Sequence, residues 1–344
     1  MALSRRQFLT RTCASAVGMI SVSSVLHGLA RSETPPSVNV KTLLIDFERT
    51  GELFTVRADF CGQTHEYKLT EDRNEIVSKL EDLYLDLQLS FYEKSEIIAR
   101  AKWLGDRILS PISREIDSCD EIQFIIPENF IRLPFDFLQY RKQSLFLQRP
   151  VKYSFAPVDS IFEFSKYLSA LIVSDRTADP DRGVYFLKDR LSNSIYYDIQ
   201  DLTLQNLSSL SPKDIVLISA HGLISFNSED YIALNEESIK AGHLARLSPK
   251  LIYLDSCQLG VSNEFIQNLR RAKTRYYIAP ILSNEAGNSS TKTIEFFFKS
   301  LQQGLSPSQA LFKTRIQLYK HFKMRNNYRM LIWRAFPFRV YHLN

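Results

Sequence analysis

The stretch Ile215-Val216-Leu217-Ile218-Ser219-Ala220-His221-Gly222 decides the fold. It is answered by Leu251-Ile252-Tyr253-Leu254-Asp255-Ser256-Cys257-Gln258-Leu259-Gly260. Each half is an apolar run of strand length that ends in a reactive residue. Bounded apolar runs of this kind suit fully buried parallel strands. If the two strands are neighbours, His221 and Cys257 emerge together at their C-terminal ends, where open α/β sheets place their ligand sites. A thiol beside an imidazole is the minimum for nucleophilic acyl transfer: the imidazole takes the thiol proton and the thiolate attacks a carbonyl. The N–H groups of Gly222 and Cys257 would then form an oxyanion hole for the developing charge. A chance pairing competes with this reading, because the chain holds six His and four Cys and a buried Cys is usually an inert small hydrophobe.

The wider grammar favours the site. A strand, small residues and His-Gly are followed by a strand and Asp-Ser-Cys-x-x-Gly. Around them lie Leu133-Pro134-Phe135-Asp136-Phe137-Leu138 and Gly242-His243-Leu244. Further on come Tyr276-Tyr277-Ile278-Ala279-Pro280-Ile281, Asn288 to Ser306 ending in Gln-Gln-Gly-Leu-Ser, and Trp333-Arg334-Ala335-Phe336. Over residues 95–342 or so this pattern resembles the caspase-like (clan CD) cysteine peptidases, and its surroundings resemble their CHAT branch. The resemblance implies an α/β fold with a caspase-like, mostly parallel sheet flanked by helices. It also implies a Cys257–His221 dyad that needs neither a third acid nor a cofactor. In the metacaspase branch, the acid two residues before the nucleophile lies in the pocket for the substrate residue preceding the cut. Asp255 at that position would select Arg or Lys by charge. CHAT members often carry Ser or another small residue there, so Asp255 is a departure; alternatively it is a strand-end Asp that bonds local backbone amides. Asp175, at the end of another strand, would join such a pocket, although adjacent Arg176 argues for an acidic substrate residue instead.

Residues 1–30 read as an export signal. Ser4-Arg5-Arg6-Gln7-Phe8-Leu9 matches the twin-arginine pattern, an apolar stretch runs from Ala14 to Leu29, and Gly28-Leu29-Ala30 offers small residues for cleavage before Arg31. The competing reading is a tail that happens to contain Arg-Arg. His27 and Gly18 make this stretch a poor permanent membrane span. The expected location is the periplasm or the exterior. Removing the three arginines of residues 1–30 from 43 basic residues leaves 40 against 38 acids. That near balance calls for neither nucleic acid nor an anionic membrane, and Arg270-Arg271 reads as a solvated helix face. Once Cys13 leaves with the signal, Cys61, Cys119 and Cys257 remain, an odd set that leaves a free thiol, with Cys257 the obvious candidate. A Cys61–Cys119 bridge is then open. No close Cys/His set suggests a metal.

The remaining chain suits one large α/β domain with a smaller appendage. We divide it into residues 31–94, a strand pair with helices, and residues 95–344, the caspase-like part. Ser32 to Asn39 reads as an extended linker. Val38 to Phe47 and Leu53 to Phe60 flank a turn at Arg49-Thr50-Gly51-Glu52, and Glu66 to Leu69 adds a strand. Leucines at 80, 83 and 87 predict a helix over Arg73 to Leu89, and a second over Ile97 to Ile116 is interrupted at Pro111. Glu121 to Pro127, Leu168 to Asp175 and Tyr276 to Ile281 are further strands. Helices are expected over Ser262–Lys273, Ser290–Leu301 and Pro307–Phe322, and Ala335 to His342 is a late strand. Asp136 belongs to a short helix wedged into the core, not to catalysis. His243 is a surface or packing residue, and His65, His321 and His342 lie outside any motif. The function expected is a cysteine endopeptidase acting on a protein or peptide substrate, with an activating partner protein allowed. The alternative is a catalytically silent interaction module.

Overall fold

The computed structural model describes residues 40–48, 51–89, 93–158, 162–225, 229–284, 287–323 and 328–344. The export signal, the linker up to Asn39 and the turn residues Arg49 and Thr50 lie outside the described residues. Among the described residues no helix is long and apolar enough to cross a membrane.

Eleven strands form the main sheet among these residues. They are β1 (Thr42–Phe47), β2 (Leu53–Phe60), β3 (Gln63–Asp72), β4 (Glu121–Ile125), β5 (Val151–Ser154) and β6 (Ser169–Ser174). Then come β7 (Asn193–Asp198), β8 (Ile215–Ser219), β9 (Leu251–Asp255), β10 (Tyr276–Pro280) and β11 (Phe338–His342). Their spatial order is β3-β2-β1-β4-β5-β11-β10-β9-β8-β6-β7. Pairing is parallel except within β1-β2-β3 and between β10 and β11. The mostly parallel, helix-flanked α/β architecture expected from the sequence is therefore present.

Alternation along each strand divides the core into two layers. Val216 and Ile218 of β8, with Ile252 and Leu254 of β9, pack with Phe265, Ile266 and Leu269 of the Asn263–Arg271 helix. Ile215, Leu217, Leu251 and Tyr253 face the opposite way, onto Ile294, Phe297 and Phe298 of the Asn288–Gln302 helix. Both faces are covered, so these strands carry no polar alternation.

The structure adds three details that the sequence reading left open. The N-terminal strands do not form a sheet of their own: β1 pairs in parallel with β4, Ile45 opposite Phe124, and Phe47 stacks on Phe124 and Phe135. The late strand is not at an edge. A helix continues through Ala335, and β11 begins at Phe338, wholly buried between β5 and β10. The Cys61–Cys119 bridge does not form. Cys61 is exposed at the β2–β3 turn with φ 50°, whereas Cys119 is buried, its thiol donating to the Ile116 carbonyl. Pro111 does interrupt the second helix, which ends at Ile108 and gives way to a 3-10 turn.

Asp136 lies in a single 3-10 turn, Phe135–Phe137, and is 1 % exposed. Its carboxylate accepts from the Tyr153 hydroxyl at 2.8 Å and pairs with Arg315 at 3.0 Å and Arg339 at 3.7 Å. The packing role expected for it is thus an ionic one. It ties the helix Pro307–Phe322 and β11 to β5.

Candidate active site

Parallel pairing aligns the C-terminal ends of three neighbouring strands. Ser219 of β8 stands opposite both Ser174 of β6 and Asp255 of β9. His221 and Cys257 each follow two residues beyond these paired ends, at the same edge of the sheet. The approach is close. A Cβ on Gly222 would lie 2.9 Å from the Ser256 Cβ and 3.1 Å from the Cys257 carbonyl oxygen. Only a residue without a side chain lets the strand that follows His221 rest on the backbone of the Cys257 loop.

That loop is held from below. The Tyr277 hydroxyl donates to the Leu259 carbonyl and the Tyr341 hydroxyl to the Gly260 carbonyl, each at 2.6 Å. Gln258 takes a left-handed conformation (φ 61°). Gly260 meets β10 so closely that a Cβ would sit 2.7 Å from the Ala279 carbonyl oxygen, which accounts for the glycine of Asp-Ser-Cys-x-x-Gly. Ser262 caps the following helix, accepting from the Phe265 N–H and donating to Asp230 at 2.6 Å. Asp230 adjoins a small three-stranded ribbon of Gly222–Leu223, Tyr231–Leu234 and Glu237–Lys240. The ribbon that leaves His221 is therefore fastened to the helix that leaves Cys257.

Cys257 is half-buried, and its S–H donates to the Asn284 side-chain oxygen at 3.3 Å. Burial pushes the thiol pKa up, backbone hydrogen bonding from Asn284 partly opposes this, and the charge of Asp255 raises it further. His221 is exposed, with Nε2 2.9 Å from the Thr177 hydroxyl, which in turn donates to Asp175 at 2.6 Å. Asp255 is 3 % exposed and accepts from Ser219 at 2.7 Å, from the Asn284 amide at 2.5 Å, and from Ser290. All three donors are neutral. Burial raises Asp255 to about 6 despite them, and buried Asp179 adds repulsion. Asp179 itself accepts from the Gly183 and Val184 N–H groups.

A family model described as CHAT domain matches residues 99–341. The chain belongs to the CHAT-domain family. No curated protein matches it. This CHAT domain, related to the caspase-like peptidases, gathers His221, Gly222, Asp255 and Cys257 at one sheet edge, with Asp175 at the end of β6 beside them. His243 lies apart, its Nδ1 accepting from the Lys240 N–H at a helix start. His65 faces Glu115, and His342 is buried against Tyr276. Among the described residues no group of three or more His, Cys, Asp or Glu is placed to hold a metal. The sequence reading missed Thr177 and Asn284. Their signal is weak but present: both are polar residues just past the C-terminal end of a buried strand, where α/β sites collect.

Proposed function

We propose that this CHAT domain is a cysteine endopeptidase with Cys257 as nucleophile and His221 as general base and acid. The observation that carries the reading is the seating of Gly222 on the Cys257 backbone, beside two parallel strands in register. His221 removes the Sγ proton and the thiolate attacks the scissile carbonyl carbon. The oxyanion is met by the N–H groups of Gly222 and Cys257. As the C–N bond breaks, the imidazolium gives its proton to the leaving amine. Water then hydrolyses the thioester, releasing the acid and restoring the thiol.

Asp255 supports cleavage after Arg or Lys. It is a buried carboxylate dressed only by neutral donors, with Asp179 near it, and it makes no ion pair among the described residues. A substrate guanidinium or ammonium would supply the missing positive charge. We further infer export by the twin-arginine route from residues 4–9, with the thiol folded before it meets an oxidising compartment. An N-terminus at Arg31 in mass spectra of the processed protein is the expected result, and one at Met1 or Ala2 would overturn export.

A second reading has its own support. The resting thiol is held protonated by burial and donates to Asn284, as suits a domain that is silent or that waits for a partner. Reporter peptides ending in Arg, Lys or Asp, incubated with the full chain and with Cys257→Ala, separate the two. Cleavage after Arg or Lys that vanishes in the variant supports the dyad and the Asp255 pocket. Cleavage after Asp alone keeps the dyad and removes the pocket. No cleavage, with or without an extract of native partners, leaves the interaction module.

A further inference from the structure

We propose that Thr177, anchored by Asp175, is the positioning residue that fixes the orientation and tautomer of His221. This deepens the peptidase reading of the Cys257–His221 pair and rests on it. The argument follows from counting protons. A threonine hydroxyl has one to donate, and two acceptors stand within reach, Asp175 Oδ1 at 2.6 Å and His221 Nε2 at 2.9 Å. An ionised carboxylate can only accept, so the Thr177 proton goes to Asp175. His221 must then donate through Nε2–H, with the Thr177 oxygen as acceptor. The neutral ring therefore carries its proton on Nε2, and Nδ1 keeps the lone pair needed to take a proton from a thiol. On protonation Nδ1 gains the hydrogen while the Nε2 bond stays as it was, so one arrangement serves both halves of the reaction.

The anchor is itself built in. Asp175 Oδ1 also accepts from the Thr177 N–H at 2.8 Å, and the Asp175 N–H donates to the Ser219 carbonyl at 2.8 Å. The loop is thereby tied to β8, the strand that delivers His221. Arg176 does not compete for Asp175, because it turns away to pair with Asp198 at 3.2 Å. Asp175 thus has work that a substrate pocket would not require.

The test uses the full chain with Thr177→Val, Thr177→Ser, Asp175→Asn and His221→Ala. Thr177 is exposed, so Thr177→Val changes the hydroxyl and little else. Long-range proton–nitrogen correlation spectra read the His221 tautomer directly. The Nε2–H form is expected in the wild type and in Thr177→Ser, and a mixture in Thr177→Val and Asp175→Asn. The rate of Cys257 alkylation by iodoacetamide against pH is the second readout, and it needs no substrate. Thr177→Val should slow it on the order of tenfold at neutral pH and displace the inflection that His221 sets, with recovery in Thr177→Ser. An unchanged tautomer and an unchanged alkylation profile in Thr177→Val overturn the proposal. His221→Ala probes the parent reading separately. If it leaves alkylation untouched while Thr177→Val still shifts the tautomer, the dyad falls and takes the catalytic purpose of the Thr177 contact with it; if it slows alkylation while Thr177→Val changes nothing, the positioning role alone falls.

Discussion

Asn284 stands between Cys257 and Asp255, its side-chain oxygen 3.3 Å from the Cys257 sulfur and its amide nitrogen 2.5 Å from an Asp255 oxygen. One amide thus links the Cys257 thiol to the buried carboxylate. Its orientation suits a protonated thiol, since an amide oxygen accepts from S–H and offers nothing to a thiolate. Asn284→Ala frees the thiol proton and should speed Cys257 alkylation several-fold at neutral pH. Asn284→Asp places a second acid beside the sulfur and should slow it below wild type. Equal rates in all three would remove Asn284 from the control of the thiol.

Gly222→Ala tests the seating of the His strand on the Cys257 loop. Its Cβ would meet Ser256 and the Cys257 carbonyl at 2.9 and 3.1 Å, so the loop must shift. A misplacement of about an ångström costs roughly 100-fold in rate. We expect that loss in kcat/KM toward whichever reporter the wild type cleaves, with thermal unfolding lowered only modestly. Full activity in the variant would show that the approach does not position Cys257.

Asp255 and His342 should oppose one another in the pH dependence of stability. Asp255 rises from 3.8 to about 6 in the fold, its burial outweighing three hydrogen bonds. The native state then binds the extra proton, so stability is lost as pH climbs through that window. His342, buried against Tyr276, falls from 6.5 to about 4, chiefly by burial. Here the unfolded state binds the extra proton, and stability is lost as pH drops. Each effect is on the order of 3 kcal/mol. Asp255→Asn should unmask the acid lability of His342, and His342→Phe the opposite slope. Denaturant midpoints between pH 4 and 7.5 that run parallel in all three proteins would refute this balance.

Removing one member of the Asp136 centre should be costly. Asp136→Asn leaves Arg315 and Arg339 buried without their carboxylate, a loss of about 3–5 kcal/mol. Urea unfolding measures it. A loss below about 1 kcal/mol would mean that the backbone carbonyls around these arginines already satisfy them.

The His and Cys strands were legible because strands buried on both faces are written as unbroken apolar runs, and Ser219 and Asp255 proved to be in register. Gly222 was singled out as an oxyanion-hole donor, whereas its close approach to Ser256 was not legible. The donors around Asp255 escaped notice because Ser219, Asn284 and Ser290 come from three separate segments that only the sheet edge brings together. Thr177 sits in a loop without periodicity, so nothing in its neighbours marks it. β3 was read too short, as Glu66–Leu69 rather than Gln63–Asp72, because an edge strand that is largely exposed lacks the apolar alternation that marks its ends. The place of β11 was hidden for another reason: composition reports burial, and burial does not say which two strands lie on either side.

That place has a consequence for how the molecule folds. β11 joins β5, far back in the chain, to β10, so the two halves of the sheet meet only after a very long loop has closed. The same strand carries Tyr341, whose hydroxyl holds the Gly260 carbonyl in the Cys257 loop. A half-folded chain therefore has its sulfur but not the floor beneath it. On refolding, protection of the β8 and β9 amides should appear first and ordering of the Cys257 loop later. The Cys257–His221 site would then be among the last parts to mature, and a chain still finding its shape would lack the arrangement on which the proposed cleavage depends.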